Sequence, residues 1–138
     1  MPMPFEYRSA SEDFDKFLRD VMAISGLATR NQAYTMAQAV LIAFRSRLST
    51  ADALRFADVL PVALRALFVS DWEMRTPKPW GMRADWMRDV RSLRPDHNFS
   101  TDSAISDVAA ALRLNVDQQA FSAVLATLPE SADRFWQP

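Results

Sequence analysis

The residues of this 138-residue chain that could do chemistry include a repeated arginine–aspartate pair. Arg19 and Asp20 recur as Arg88 and Asp89, and a valine follows each pair. On a helix whose apolar residues face the core, each aspartate lies at the edge of the apolar stripe. There it can accept hydrogen bonds from an arginine or from the capping amides of a neighbouring helix. Two interpretations stay open. The pairs could form a pseudo-symmetric polar pocket of Asp20, Asp89, Arg19 and Arg88, or they could be two structural sites that cap helices or form ion pairs. Recurrence within a repeat favours the structural interpretation.

His97 is the only histidine and follows Asp96 in a polar segment. An aspartate beside a histidine could supply a general base and the group that orients it. Sequence neighbours rarely direct both side chains into one reacting centre, and no serine or cysteine elbow accompanies this pair. We therefore predict a solvated loop histidine and no catalytic residue.

Metal and cofactor sites are also not expected. The chain has no cysteine and one histidine, so oxygen atoms are the ligands that remain. The densest acidic group, Glu12, Asp13 and Asp15, stands at a predicted helix start, where it complements the helix dipole. No EF-hand loop and no Glu-x-x-His signature occurs.

The charge pattern argues against nucleic-acid partners and against binding to a membrane surface. Sixteen basic and seventeen acidic residues leave a formal charge of -1, which does not support a broad phosphate-binding surface. The helices that could recognise DNA carry one arginine each, Arg65 and Arg113, whereas a recognition helix presents a basic face. Lys16 and Lys78 are the only lysines, so a membrane-surface helix is not predicted either.

The absence of cysteine suits a reducing compartment. Residues Met1 to Ala10 contain no basic segment followed by an apolar run, as a secretion signal would. No stretch approaches the ~18 consecutive apolar residues of a membrane span. We predict one cytoplasmic domain over residues 1–138.

The composition and periodicity predict an all-α fold. Two glycines, Gly26 and Gly81, are too few for a chain rich in hairpins, and apolar residues recur at helical spacing from Phe14 onward. We predict about eight helices in two similar four-helix units that share one core. The first unit spans about 11–70, a connector spans 71–81, and the second unit spans about 82–136.

Capping residues predict where these helices begin and end. A left-handed glycine is the common end of a helix, and Gly26 fits that role after the first one. Proline is favoured at the first helical position. The predicted helix starts are Thr29, Ser49 or Thr50, Pro61, Ser100 or Thr101, Asp117 and Pro129.

The second unit repeats residues of the first. Residues 17–21, Phe-Leu-Arg-Asp-Val, align with residues 86–90, Trp-Met-Arg-Asp-Val, and Leu60-Pro61 returns as Leu128-Pro129. Two amphipathic stretches can align by chance because they share the helical period. Periodicity alone, however, does not explain matching polar and proline residues at nearly one offset, so we predict an internal repeat.

These residues also resemble a known family. The resemblance is carried by residues 17–21, Ala39-Val40-Leu41, Arg47-Leu48-Ser49 and Val59-Leu60-Pro61, with Leu64 and Leu67. They are similar to the bacterial domain-of-unknown-function family 2267 over nearly the full chain. The chain departs from that family at Val59, where glutamine is common, and at Thr50-Ala51-Asp52, which replaces a Gly-Glu-like turn. The resemblance implies an all-helical fold and brings no established activity or functional residue.

The best remaining interpretation is a non-catalytic interaction or structural module that binds protein partners or forms a homodimer. Trp72 and Trp80 in the connector are the candidate interaction patch, although large linker aromatics more often pack on the core. Exposure of Trp72, Trp80 and Trp136 would favour this function. The alternative is a small-molecule binder or weak enzyme with a cleft between the units, lined by Asp20, Asp89 or nearby arginines.

Overall fold

The computed structural model describes residues 1–93 and 102–137. Within these ranges the chain forms nine helices and no strand. The helices are α1 (Phe5–Arg8), α2 (Ala10–Ser25), α3 (Arg30–Arg45), α4 (Thr50–Ala57), α5 (Val62–Val69), α6 (Arg83–Ser92), α7 (Ala104–Arg113), α8 (Gln118–Ala126) and α9 (Glu130–Phe135). The all-helical prediction is confirmed, and the short helix α1 is an addition to the eight predicted.

Local capping chemistry explains several of the helix ends. The Thr29 hydroxyl accepts a hydrogen bond from the Gln32 amide at 3.1 Å, and the Gln32 side chain accepts one from the Thr29 amide at 3.3 Å. Ser49 and Asp117 also cap their helices through side-chain oxygens. Gly26 ends α2 in the left-handed conformation, with φ of 81°.

Three predicted helix starts need correction. Pro61 and Pro129 occupy the capping position rather than the first helical turn, because ψ of 153° and 148° keeps both residues extended. Ser103 is the residue that precedes α7, so the predicted start at Ser100 or Thr101 is wrong. Ser100 and Thr101 themselves lie outside the described residues, as does His97.

Helices from the first half of the sequence pack against helices from the second half. Helix α2 packs against α7 and α3, and α3 packs against α6. An aromatic cluster fills the centre, where the Phe44 ring lies 4.7 Å from Phe56, 5.0 Å from Phe135 and 5.1 Å from Trp136 between ring centroids. Side chains from both halves of the chain therefore share this core.

Two arginines complete the ends of short helices. The Arg45 Nη1 donates to the carbonyls of Phe68 at 2.9 Å, in the last turn of α5, and Ser70 at 3.0 Å, just after it. The Arg113 Nε and Nη2 donate to the Trp136 carbonyl at 3.1 and 3.0 Å, beyond α9. These bonds satisfy carbonyls that have no partner within their own helices.

Candidate functional site

Asp20 joins α2 to the segment after α7. Its Oδ2 accepts hydrogen bonds from Lys16 Nζ at 2.9 Å and from Asn115 Nδ2 at 2.8 Å. Burial raises the pKa of Asp20, but the hydrogen bonds from Lys16 and Asn115 and the positive charges of Lys16 and Arg19 together outweigh burial, so the pKa lies below its ordinary value. The carboxylate is therefore bound more strongly when ionised than when protonated.

We expect the stabilising contribution of Asp20 to disappear on acidification. Its pKa is lower in the folded chain than in the unfolded chain, where it is about 3.9. The contribution is therefore complete above the unfolded pKa and is lost as the pH falls through the folded pKa. Urea denaturation from about pH 6 to about pH 2 should show wild type and Asp20→Asn converging in free energy of unfolding. A difference that stays constant with pH would contradict this assignment.

Asp89 lies in a different network. Its Oδ2 is 2.8 Å from Arg47 Nη2 and 3.4 Å from Lys78 Nζ. Arg19 and Arg88 are both exposed, and Arg88 pairs with Asp85 at 3.1 Å. The contacts of Asp20 and Asp89 thus have no partner in common, and they tie helices to neighbouring segments rather than joining the two pairs.

Arg47 is the polar residue that sequence reasoning missed. It is 5% exposed, and besides Asp89 it donates to the Ala43 carbonyl at 2.9 Å and to the Trp80 carbonyl at 3.3 Å. The Lys78 backbone amide also donates to the Ser46 carbonyl at 2.9 Å. These bonds hold the end of the connector against the end of α3. The signals in the sequence were the position of Arg47 just before the predicted helix start at Ser49 or Thr50 and its place among the residues that resemble the family.

The tryptophans do not form one exposed patch. Trp136 is fully buried, while Trp72 and Trp80 are half-buried and pack against the core. The Trp80 ring lies 5.8 Å from Phe44 and 6.4 Å from Trp86 between centroids. Burial of Trp136 and partial burial of the other two weaken an interface made by the indole rings themselves.

A cavity of about 320 Å³ lies beside Trp72, between α3, the first part of the connector and the end of α6. We call it the connector groove and define it by six of its lining residues: Ile42, Arg45, Trp72, Met74, Arg75 and Leu93. Its outer wall is formed by residues 71–76, which belong to the segment 71–77, here named the strap. The strap begins at Asp71, which turns the chain out of α5 with φ of 51°, a conformation that aspartate tolerates better than most residues.

Arg45 forms the floor of the connector groove and is 7% exposed. Its guanidinium carbon lies 5.4 Å from the centroid of the Trp72 ring. Burial lowers the pKa of Arg45, and the charge of Asp71 offsets part of that effect. Yet no carboxylate of the described chain lies within 4.0 Å of this guanidinium. The groove thus has a buried cation without an ion pair.

The described ranges also bear on metal binding and on membrane insertion. No group of three or more histidine, aspartate or glutamate side chains is placed there to hold a metal ion. Among the helices of those ranges, none is both long and apolar enough to cross a membrane.

Comparison with known proteins gives the chain a family. No curated protein matches the sequence. The family model described as an uncharacterized conserved protein, DUF2267, matches residues 14–135, from α2 to the last residue of α9. The chain therefore belongs to the DUF2267 family.

Proposed function

We propose that this chain is a non-catalytic helical module that binds a segment of a protein partner in the connector groove. The observation that carries the proposal is a rigid helical floor with a strap held at both ends. At one end Arg45 binds the Ser70 carbonyl, and at the other Lys78 and Trp80 are bonded to Ser46 and Arg47. A preformed surface of this kind lowers the entropy lost on binding.

The strap itself is available to a partner. Within the described chain, no backbone–backbone hydrogen bond of a turn, loop or cap involves residues 71–77, and all of them except the half-buried Trp72 are exposed. An added segment can therefore reach the backbone groups of the strap. Met74 and Leu93 are exposed apolar side chains at the edge of the groove. Apolar area beside unpaired backbone groups is the combination that an extended peptide can cover.

We further propose that the scaffold consists of two intertwined repeat units, about 11–70 and 82–136. The contacts support this because the first helix of each unit packs on the second helix of the other, α2 on α7 and α6 on α3. Arg45 and Arg113, at matched positions, both donate to backbone carbonyls at the ends of α5 and α9, although through different guanidinium nitrogens. The matched positions Arg47 and Asn115 differ, and Arg47 is the one that holds the connector.

Selection of displayed random peptides on the immobilised protein tests the groove. We expect selected peptides to bind with a Kd on the order of 10 μM, or about -7 kcal/mol. Met74→Asp places a charge in the apolar wall and should weaken them at least about tenfold. The matched control is Leu114→Asp, because Leu114 is 63% exposed, Met74 is 65% exposed, and Leu114 does not line the groove. Isothermal titration calorimetry measures both variants.

Three results would count against this function. Failure to select any peptide that depends on Met74 would remove the groove as a peptide site. Weaker binding to Leu114→Asp than to Met74→Asp would place the binding face elsewhere. Self-association that Met74→Asp abolishes, seen by analytical ultracentrifugation, would make a second copy of this chain the occupant.

A small-molecule binder is the second candidate. The cavity of about 320 Å³ is within the range of ligand pockets, and Trp72 and Arg45 are an aromatic and a cationic side chain in one place. A thermal-shift screen of metabolites separates the two functions. A metabolite that raises the melting temperature of wild type but not of Met74→Asp would favour this candidate.

A further inference from the structure

We propose that the connector groove selects partner segments with an aspartate or glutamate, whose carboxylate binds the Nε and Nη2 edge of Arg45. This inference rests on the proposed function and specifies the chemistry of the partner. Three observations support it: the hydrogen bonds that Arg45 makes, the N–H donors of Arg45 that have no acceptor in the fold, and the charges of its neighbours.

Only one end of the Arg45 guanidinium is used by the fold. The two hydrogen bonds to Phe68 and Ser70 both come from Nη1, so Nε and Nη2 keep three N–H donors. In the described chain, the one side-chain nitrogen or oxygen buried without a partner is Trp136 Nε1. The unused Arg45 nitrogens are therefore reached by solvent, and the surface that Arg45 lines is the groove.

The unused edge has the geometry for a carboxylate. Nε and Nη2 direct parallel N–H groups along one side of the guanidinium plane, which matches the two oxygens of a carboxylate. The Trp72 ring, 5.4 Å from the guanidinium carbon, is in a cation–π arrangement that holds the group in place. Because the fold already removes most of the Arg45 side chain from water, binding a carboxylate costs only the water that still reaches Nε and Nη2.

Neighbouring charges favour a single negative charge over a phosphate. Arg75 is paired with Glu73, and Lys78 lies 3.4 Å from Asp89, so both cations of the groove wall are already compensated. Asp71 is near Arg45 without forming an ion pair with it. A carboxylate needs one unpaired cation, whereas a phosphate group carries about two charges at neutral pH. Ile42, Met74 and Leu93 would contact an apolar side chain next to the acidic one.

The decisive probes are peptide pairs that differ in one non-hydrogen atom and one negative charge. A selected peptide is synthesised with its glutamate and with glutamine at that position, and both are titrated into wild type and into Arg45→Lys. The glutamine peptide should bind wild type at least about tenfold more weakly. Lysine keeps the charge but loses the planar pair of donors. Arg45→Lys should therefore bind the glutamate peptide more weakly and discriminate less between the two peptides.

Arg113→Lys is the control for damage to the fold. Like Arg45, Arg113 binds a carbonyl beyond a short helix, but it does not line the groove. It should lose stability without losing the preference for glutamate. The comparison of the two peptides on wild type needs no protein variant, so it stays decisive if Arg45→Lys does not fold.

Several outcomes would overturn the inference. Peptides that depend on Met74 but have no acidic position, or whose affinity survives the change to glutamine, would remove the carboxylate and leave the proposed function intact. No groove-dependent peptide at all would remove both. Tighter binding of a phosphoserine peptide would replace the carboxylate by a phosphate. Displacement by free succinate at concentrations similar to the peptide would make the occupant a small organic acid.

Discussion

Replacing Asp89 by alanine lowers the free energy of unfolding by about 3–5 kcal/mol, the usual cost of leaving a buried charge without its partner. Arg47, 5% exposed, would keep its hydrogen bonds to the Ala43 and Trp80 carbonyls but lose the carboxylate 2.8 Å away. The same change frees Lys78, so the end of the connector loosens with it. Urea denaturation followed by far-UV circular dichroism measures the loss.

Asp20→Ala is the matched control for this experiment. Asp20 is bound by the neutral amide of Asn115 and by the exposed Lys16. Its removal therefore leaves no buried cation without an ion-pair partner. We expect a loss of about 1.5 kcal/mol, the low end for a hydrogen bond in which a charged group takes part, because Lys16 is half exposed and Asp20 is a quarter exposed. Equal losses for Asp20→Ala and Asp89→Ala would refute the difference between the two networks. Unchanged stability with lost ligand binding in both variants would instead support a polar binding site.

The double replacement Arg47→Met with Asp89→Leu separates charge from packing. Apolar residues of similar volume often replace a buried ion pair without loss of stability. We expect the double variant to regain most of the stability that Asp89→Ala loses. If it does not, the hydrogen bond from Arg47 to the Trp80 carbonyl matters more than the ion pair.

Phe44→Ala should also cost about 3–5 kcal/mol, because it removes a large buried ring and leaves a cavity. The Phe44 ring contacts Phe56 from α4, Trp80 from the connector, and Phe135 and Trp136 at the end of the chain. Thermal unfolding followed by circular dichroism should still show one transition, at a lower temperature. Its breadth and enthalpy are measured by calorimetry.

The control for Phe44→Ala is Phe5→Ala in α1. Phe5 is 76% exposed, so its removal should change stability by no more than about 0.5 kcal/mol. A second transition in Phe44→Ala would mean that the two halves of the chain unfold separately. That result would contradict a single shared core.

Predictions from local physics were the most accurate. Thr29, Ser49, Asp117 and Gly26 mark helix ends because their side chains or φ angles act within a few residues of the chain. Helical periodicity likewise identified apolar positions such as Phe17, which the fold buries. Pro61 and Pro129 are exceptions: the sequence predicts them at the first helical position, but each is the capping residue before its helix. Proline fixes φ but leaves ψ to the surrounding chain.

Contacts between distant residues could not be read from the chain. Arg47 and Asp89 are far apart in sequence, and Asp89 looked equivalent to Asp20 until their partners were known. An arginine at a helix end has many solvent-exposed arrangements, so the sequence gives no sign that Arg45 is buried. Its role as the floor of a groove depends on the path of residues 71–77.

By itself the sequence determined an all-helical chain, several of its helix ends and the apolar faces of its main helices, because these depend on hydrogen bonds and periodicity over a few residues. It also drew attention to Asp20, Asp89 and the connector. Only the tertiary structure decided that the two aspartates belong to separate networks and that Arg45 keeps an unused edge in a groove. Contacts between distant segments set how deeply a polar residue is buried and whether its charge is compensated. Burial and charge compensation then decide whether that residue is part of the scaffold or free to bind a partner.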